Sequence, residues 1–269
     1  MTHANTQNWH ERTALITGAS SGIGAAAAKR LAREGLAVAL VARRADRLQA
    51  LAGEICAQGG RALAFPCDLS CERERAVLYE NVLARLGRVD VLFNNAGVGW
   101  YGYFQRMPWP LASELVEINV TAVAHLTCLF LAHMRQRGSG HIINMGSLTG
   151  ALPVQGSVMY GASKAFGESF TNALHRELAG TKIHASVIRA TGIRTEFFDT
   201  VSAREGGQRL PGWAFAVEVD QVVDALWSLL RRPRRIVFVP WTMRFVPWAE
   251  VLAGWVMDRV GPVLLRRGE

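Results

Sequence analysis

A tyrosine and a lysine stand four positions apart in the segment Tyr160-Gly161-Ala162-Ser163-Lys164. Residues at this spacing lie on one face of an α-helix, about one turn apart. A phenol, with a pKa of about 10, is a poor base at neutral pH, but a nearby ammonium stabilises the phenolate and lowers that pKa. The pair therefore predicts a general acid/base, Tyr160, assisted by Lys164, that moves a proton at an alcohol oxygen while a hydride moves at carbon.

Other polar segments follow apolar runs that are typical of strands. Asn94-Asn95-Ala96-Gly97 closes one run, Ser147 stands just past the next, and Thr191-Gly192 follows a later one. The carboxyl ends of parallel strands form the edge at which open α/β sheets bind ligands. Each segment could also be an ordinary turn, and Tyr-x-x-x-Lys recurs by chance in helices. Their convergence on one predicted edge favours a shared site.

A glycine-rich segment, Gly18-Ala19-Ser20-Ser21-Gly22-Ile23-Gly24, comes after the first predicted strand and opens the first predicted helix. Glycines allow the backbone to turn sharply and approach a pyrophosphate, which the helix N-terminus favours electrostatically. The spacing is G-x-x-x-G-x-G, and such a turn can also serve helix–strand packing. Its position between strand and helix favours a dinucleotide site.

The second predicted strand ends at Arg43 and Arg44, while Asp46 follows as the expected cap of the next helix. An acidic residue in this region binds the ribose 2′-hydroxyl of NAD, whereas arginine suits the 2′-phosphate of NADP. A guanidinium attracts a phosphate dianion and gains little from a bare ribose. The alternative is that both arginines are ordinary surface charges. The sequence favours NADP(H).

The elements that must position these groups alternate along the chain. Apolar runs predict seven strands, at residues 13–17, 37–41, 62–66, 89–94, 141–145, 183–188 and 236–239. Helical patterns separate the first six, at residues 23–34, 47–58, 73–86, 111–134 and 159–178, and several end at glycines. This alternation predicts an α/β fold of Rossmann type, a doubly wound, seven-stranded parallel sheet with helices on both faces. We expect one domain, with residues 1–240 catalytic and residues 241–269 an aromatic and basic extension of it.

Composition excludes several other classes. The chain has 269 residues and a formal charge of +8, but its arginines are scattered and no nucleic-acid motif accompanies them. Its four cysteines form no CxxC pair, which disfavours a metal site and favours buried free thiols in a reducing cytoplasm. The longest apolar stretch, residues 118–134, is interrupted by polar residues and is shorter than the roughly 20 residues of a membrane span. We expect a cytoplasmic protein that binds no nucleic acid and no metal.

Together these motifs resemble the classical short-chain dehydrogenase/reductase family over about the first 240 residues. The resemblance implies that Tyr160 is the general acid/base and that Ser147 holds the substrate oxygen. Lys164 would bind the nicotinamide ribose, Asn119 would hold a water for proton relay, and Asp68 would contact adenine. The expected cofactor-binding residues are Gly18, Ser20, Ser21, Gly22, Ile23, Gly24, Arg43, Arg44, Asp68, Leu69, Asn95, Ala96, Gly97, Tyr160, Lys164, Gly192, Ile193 and Thr195.

One position departs from the family pattern, because Thr191 precedes Gly192 where the family usually has proline. Threonine lacks the fixed φ of proline. We therefore expect a less rigid or differently set loop beside the nicotinamide.

Aromatic residues suggest the nature of the substrate. They follow the Asn-Asn-Ala-Gly segment and recur in the long connection at residues 191–216, at Trp100, Tyr101, Tyr103, Phe104, Phe197, Phe198 and Trp213. An apolar pocket would suit a bulky ketone or secondary alcohol. The same aromatics could instead pack the loops or form an oligomer contact, and we expect a homo-oligomer.

The tail after Pro240 predicts a helix starting near Pro247, with an apolar stripe formed by Trp248, Val251, Leu252, Trp255 and Val256. Three interpretations stay open: packing on the body or on a subunit partner, a wall of the substrate pocket, or shallow membrane contact. Two other functions also stay open. One is an epimerase or dehydratase, which shares Tyr-x-x-x-Lys on a related fold; the other is a non-catalytic NADP-sensing protein.

Overall fold

The central element of the computed structural model is a seven-stranded, fully parallel sheet. The structure describes residues 9–208, 216–248, 251–252, 254–256 and 258–259. The strands are β1 (Thr13–Thr17), β2 (Ala37–Ala42), β3 (Arg61–Pro66), β4 (Val91–Asn94), β5 (Gly140–Ser147), β6 (Ile183–Ala190) and β7 (Ile236–Val239). Their spatial order is β3-β2-β1-β4-β5-β6-β7. The order reverses direction between β1 and β4, and such a switch point opens a crevice at the carboxyl edge. The predicted fold class is confirmed.

Eight α-helices are present among the described residues. They are α1 (Gly22–Arg33), α2 (Ala45–Ala57), α3 (Glu72–Leu86), α4 (Trp109–Val116), α5 (Ala122–Arg137), α6 (Val158–Glu177), α7 (Glu196–Ser202) and α8 (Val219–Arg231). The sequence prediction omitted α7 and α8. For α8 a signal was available, because Glu218 and Gln221 form a capping box ahead of an amphipathic run.

Alternation along the central strands places side chains in two cores, one on each face of the sheet. Ile16 of β1 lies in the core that α1 and α8 cover, where it joins Leu226 of α8. The adjacent Leu15 lies in the opposite core, with Phe130 of α5. All residues of β1 and β2 are buried, as expected for parallel strands covered on both sides. Burial of each such large side chain contributes roughly 1.5–3 kcal/mol.

Three local expectations need correction. Asp46 does not cap α2, because Arg44 occupies the N-cap position and Asp46 lies in the first turn. Ser147 is the last residue of β5 and not the one beyond it. Of the cysteines only Cys67 is buried; the other free thiols are exposed, at Cys56, Cys71 and Cys128.

The helical segment Trp109–Arg137 runs through α4 and α5 and is long and apolar enough, by length and composition, to cross a membrane. Buried helices of other proteins meet the same criteria. Here Leu126, Phe130 and Met134 belong to the core beneath the sheet. A π-helical turn, Glu117–Thr121, joins α4 to α5.

The tail leaves the sheet after β7 through a 3-10 turn, Trp241–Phe245, and the described residues of segment 246–259 are helical. Its aromatic side chains are largely exposed, with exposed fractions of 66% for Trp241, 68% for Trp248 and 60% for Trp255. These described side chains therefore present apolar surface to solvent.

Candidate active site

The turn after β1 and the loop after β4 are tied together by Thr17. Its Oγ1 atom accepts hydrogen bonds from the backbone N–H groups of Asn95 (2.9 Å) and Ala96 (3.0 Å). In return, the side-chain amide of Asn95 donates to the carbonyl oxygen of Thr17 at 3.0 Å. The sequence prediction did not include Thr17, although its hydroxyl fixes the predicted Asn95–Ala96 segment at the switch point.

Two glycines of the glycine-rich segment are required by close backbone approach. A Cβ atom on Gly18, which has φ +66°, would lie 2.9 Å from the Cα of Ala96. A Cβ on Gly24 would lie 2.3 Å from the carbonyl oxygen of Gly18. Gly24 therefore packs α1 onto the turn and does not line the cavity described below, whereas Gly18 does.

Arg44 lies over the glycine-rich turn, and Arg43 points to neighbouring carboxylates. The Nη2 atom of Arg44 donates to the hydroxyls of Ser20 and Ser21, at 2.9 Å each. Arg43 lies 3.7 Å from a carboxylate oxygen of Glu114. Both guanidinium groups are solvent-accessible beside the pyrophosphate-type turn, where a phosphate could reach them.

Asp68 lies in the loop between β3 and α3 and carries a carboxylate. Hydrogen bonds from Ser70, the backbone one first, lower the pKa of Asp68, and the charge of Arg43 lowers it further. Arg75, which is almost wholly buried, holds the same loop by donating to the carbonyl oxygen of Leu69 at 2.5 Å. No sequence signal distinguished Arg75 from the exposed arginines of the helices.

Tyr160 and Ser147 meet at the carboxyl edge of β5. The hydroxyl of Ser147 accepts from the hydroxyl of Thr149 (2.9 Å), so its own proton is available to the hydrogen bond it makes with Tyr160. Burial raises the pKa of Tyr160 to about 12, and the hydrogen bond with Ser147 only partly opposes this rise. The expected lowering of the phenol pKa by Lys164 is not observed in this structure.

Lys164 lies one turn after Tyr160 on α6, and its ammonium is bound to the main chain. Its Nζ atom donates to the carbonyl oxygen of Met145 at 2.9 Å and lies 5.7 Å from the centre of the Tyr160 ring. Burial lowers the pKa of Lys164 to about 8, against the opposing charge of Glu168. Glu168 itself forms a buried ion pair with Arg189 of β6.

Asn119 lies in the π-helical turn, buried below the loop after β4. Its Oδ1 atom accepts from the N–H of Val98 (2.9 Å), and its amide donates to the carbonyl of Val98 (2.8 Å) and the hydroxyl of Ser163 (3.0 Å). Both hydrogens of the Asn119 side-chain amide are thus donated to protein atoms. A water could therefore bind Asn119 only by donating to its side-chain or backbone carbonyl oxygen. Asn119 does not line the cavity.

The loop after β6 carries Thr191 at the position that departs from the family pattern. The backbone N–H of Thr191 donates to the carbonyl oxygen of Val239 at 3.1 Å, a bond that proline could not make. The next residue, Gly192, accepts from Val217 at 2.8 Å. These two hydrogen bonds anchor the backbone at the start of the loop.

A cavity of about 670 Å³ opens between these elements. Eighteen residues of the predicted site line it, namely Gly18, Ser20, Ser21, Gly22, Ile23, Arg43, Arg44, Asp68, Leu69, Asn95, Ala96, Gly97, Ser147, Tyr160, Lys164, Gly192, Ile193 and Thr195. The volume is within the range of small-molecule and cofactor sites. The arrangement suits a dinucleotide, with a backbone turn for the pyrophosphate, arginines at one end and the Tyr160 hydroxyl at the other.

The aromatic expectation holds in part. Trp100, Tyr101, Phe197 and Phe198 line the cavity, and Trp100 is anchored by a hydrogen bond from its Nε1 to the carbonyl of Glu205 (3.0 Å). Tyr103 and Phe104 do not line it, and Phe104 is about half exposed. Trp213 lies outside the described residues.

Further lining residues escaped the sequence prediction because loops and the short helix α7, which was not predicted, carry them. These are chiefly Thr149, Val154, Ser157, Glu196, Val201 and Arg204. Arg204 is paired with Glu114 at 2.7 Å. No described residue of the tail lines the cavity. Nor do any described residues form a group of three or more His, Cys, Asp or Glu side chains that could hold a metal ion.

The chain is similar to proteins of one family. A family model described as short chain dehydrogenase matches residues 12–206. The ketoacyl reductase HetN of Nostoc sp. is 35% identical over 201 residues, which cover 75% of this chain and 70% of that protein.

Solved structures agree with this match. A short-chain dehydrogenase from Sphingobium yanoikuyae in complex with NADPH is 33% identical, with a TM-score of 0.79, over 92% of this chain and 96% of that one. A bulky-bulky ketone specific alcohol dehydrogenase from Comamonas testosteroni is 30% identical, with a TM-score of 0.75, over 91% and 93%. A 3-ketoacyl-(acyl-carrier-protein) reductase from Brucella melitensis complexed with NADH is 30% identical, with a TM-score of 0.74, over 85% and 96%.

Proposed function

The chain belongs to the short-chain dehydrogenase/reductase family, and we propose that it is an NADP(H)-dependent member that reduces a bulky, hydrophobic ketone or oxidises the corresponding secondary alcohol. One observation carries this proposal: the Tyr160 hydroxyl, hydrogen-bonded to Ser147, lines the same cavity as the glycine-rich turn and the arginines that flank it.

The residues that line the cavity would have different roles along its length. The glycine-rich turn and the N-terminus of α1 would hold the pyrophosphate, Arg43 and Arg44 the 2′-phosphate, and Asp68 the adenine. When bound, NADPH supplies the hydride. Tyr160 keeps its proton at neutral pH because burial raises its pKa to about 12, so it can donate that proton to the substrate oxygen. With substrate bound, Ser147 would turn its hydroxyl proton from Tyr160 to the same substrate oxygen.

The substrate class follows from the lining near Tyr160. The ring of Phe197 lies 5.9 Å from that of Tyr160 and packs with Tyr101 and Val201, and all three residues line the cavity together with Trp100. An apolar group on the substrate would bury against them with a gain of about 25 cal/mol per Å². The similarity to a bulky-bulky ketone specific alcohol dehydrogenase from Comamonas testosteroni supports, by analogy, a bulky ketone.

A panel of hydrophobic ketones and alcohols, assayed by nicotinamide absorbance with NADPH or NADP, tests the proposal. Turnover of at least some bulky ketones is expected, with small polar ketones turned over poorly. A non-catalytic NADP-sensing protein would bind NADPH but turn over nothing. An epimerase or dehydratase would convert its substrate without net change in the nicotinamide, which product analysis would reveal.

We also propose that the protein works as a cytoplasmic homo-oligomer, a dimer or tetramer, in which residues 241–269 extend the catalytic domain and contact a partner subunit. The exposed stripe of Trp241, Trp248 and Trp255 supports a contact of this kind, because large exposed apolar patches mark interaction surfaces. The described free cysteines are typical of a reducing compartment. Light scattering of the Trp248→Glu/Trp255→Glu variant should show a smaller assembly than the unmodified chain. If the unmodified chain floats with liposomes and this variant does not, the result would instead favour membrane contact.

A further inference from the structure

Glu196, the first residue of α7, reaches the arginines beside the glycine-rich turn. Its carboxylate oxygens lie 3.2 Å and 3.0 Å from the Nη1 atom of Arg47, and one of them lies 3.5 Å from the Nη1 atom of Arg44. Arg47 belongs to α2 and Arg44 precedes that helix. A carboxylate from the beginning of α7 is therefore bound to the arginines beside the glycine-rich turn.

The backbone holds Glu196 in this place. Thr195, the N-cap of α7, packs on the start of α1, because a Cβ atom on Gly22 would lie 3.1 Å from the Cγ2 of Thr195. Glu196 and Arg44 both line the cavity, and the remaining nitrogens of Arg44 are bound to Ser20 and Ser21. The carboxylate thus occupies the side of Arg44 that the serines leave open.

A carboxylate and a phosphate are alternative partners for one guanidinium. Both are bound through charge-assisted hydrogen bonds to the same N–H donors, and two anions at one cation repel each other. Hydrogen bonds from Arg47 lower the pKa of Glu196, so the carboxylate is ionised at neutral pH. Because the ion pairs are exposed, with 57% of the Glu196 side chain accessible, each contributes little and can be exchanged for a stronger one.

We propose that Glu196 competes with the 2′-phosphate of NADP(H) for Arg44 and Arg47, and that it is a specificity-determining residue that weakens NADP(H) binding without affecting NAD(H). The proposal rests on the proposed function, since it needs the 2′-phosphate to bind at Arg44. It adds Arg47 to Arg43 and Arg44 as a third phosphate-directed cation. It also links the cofactor to α7, because a bound 2′-phosphate would release the carboxylate at the beginning of that helix.

Direct binding measurements on the purified full chain test this competition. The dissociation constants of NADPH and NADH, measured by calorimetry, are compared for the unmodified chain, Glu196→Gln and Asp199→Asn. Asp199 is the matched control because it is exposed on the same helix and its carboxylate forms no ion pair within the described part of the chain. Glu196→Gln should bind NADPH about three- to tenfold more tightly, as expected for one or two weak ion pairs, with NADH binding unchanged within about twofold.

Three results would overturn the competition: unchanged or weaker NADPH binding by Glu196→Gln, equal tightening of NADPH and NADH, or equal tightening by Asp199→Asn. The last would assign the effect to overall charge and not to the contact. Failure of the proposed function looks different, because the unmodified chain would then bind NADH as tightly as NADPH. Thermal melting of each variant without cofactor checks that the fold is retained.

Discussion

The Nζ atom of Lys164 lies 5.7 Å from the centre of the Tyr160 ring, one turn further along α6, and is bound to the carbonyl oxygen of Met145. Burial is the largest influence on the phenol and raises the pKa of Tyr160 to about 12. In this arrangement the Tyr160 hydroxyl keeps its proton at neutral pH, which suits the proton donation that we propose for the reductive direction. Oxidation of an alcohol requires a lower phenol pKa, and therefore added positive charge near the ring.

Tyr160→Phe removes the hydroxyl and keeps the ring. We expect kcat to fall by about a hundredfold to ten-thousandfold, the range that general acid–base catalysis supplies, while NADPH binding stays within about threefold. Steady-state kinetics and cofactor titration measure the two effects. Tyr79→Phe is the matched control, because Tyr79 packs against Phe130 and does not line the cavity. Full turnover by Tyr160→Phe would contradict the assigned mechanism.

A second prediction concerns pH and the neighbour of Lys164. Burial lowers the pKa of Lys164 to about 8, so its ammonium is present below that pH and is lost above it. Activity should therefore decline above about pH 8. The charge of Glu168 raises the pKa of Lys164, so Glu168→Gln should move this decline to lower pH.

Lys164→Arg is the control for this pH profile, because a guanidinium stays protonated throughout the range and the decline should disappear. Glu168→Gln also leaves Arg189 without its buried partner, which should lower the free energy of unfolding by about 3–5 kcal/mol. The pH profile of this variant is therefore measured at a temperature at which thermal melting shows it to be folded. An unshifted decline in Glu168→Gln would show that another group sets it.

Much of this architecture could be predicted from sequence, because the determining signals are local. The runs at Thr13–Thr17 and Ala37–Ala42 are apolar and wholly buried, so their strand character needs no long-range information. The side chains at the strand ends could be brought together by topology alone. Ser147 lies at such an end, and Tyr160 follows it closely enough in the chain to be placed in the same site.

The features that could not be predicted from the sequence depend on contacts between residues that are distant in the chain. The pKa of Tyr160 follows from how deeply the ring is buried, which the Tyr-x-x-x-Lys spacing does not reveal. The N–H of Thr191 is bound to Val239 at the end of another strand, a contact that the residue type does not reveal. Glu196 reaches Arg47 across 149 positions of the chain. No local pattern reports such partners.

Arg44→Ala should separate the two nicotinamide cofactors. Its guanidinium lies over Ser20 and Ser21, where a 2′-phosphate would accept charge-assisted hydrogen bonds. We expect NADPH binding to weaken about tenfold to a hundredfold, as for loss of a hydrogen bond to a charged group, and NADH binding to change less than threefold. Arg33→Ala is the matched control, because it removes the same charge at the opposite end of α1. Equal losses for NADPH and NADH would remove the basis for NADP(H) preference.

Asp90, at the edge of the sheet opposite the cavity, should make stability depend on pH. Its carboxylate is 3% exposed and accepts hydrogen bonds from Arg88 (2.9 Å), the N–H of Thr13 (2.9 Å) and Arg137 (3.0 Å). Burial acts to raise the pKa of Asp90, but these hydrogen bonds outweigh it and the pKa is lowered.

The sign of the effect follows from this lowered pKa. A carboxyl with a lower pKa in the folded state stabilises the fold above its unfolded pKa of about 3.9, and this contribution is lost as the pH falls through the folded pKa. Asp90→Asn should therefore reduce the free energy of unfolding by about 2–3 kcal/mol near neutral pH, with the difference shrinking below about pH 4. Urea unfolding at several pH values measures it. Asp46→Asn, an exposed change in α2, should stay within about 0.5 kcal/mol. A deficit in Asp90→Asn that persists unchanged in acid would mean that packing, and not the ionised carboxylate, supplies the stability.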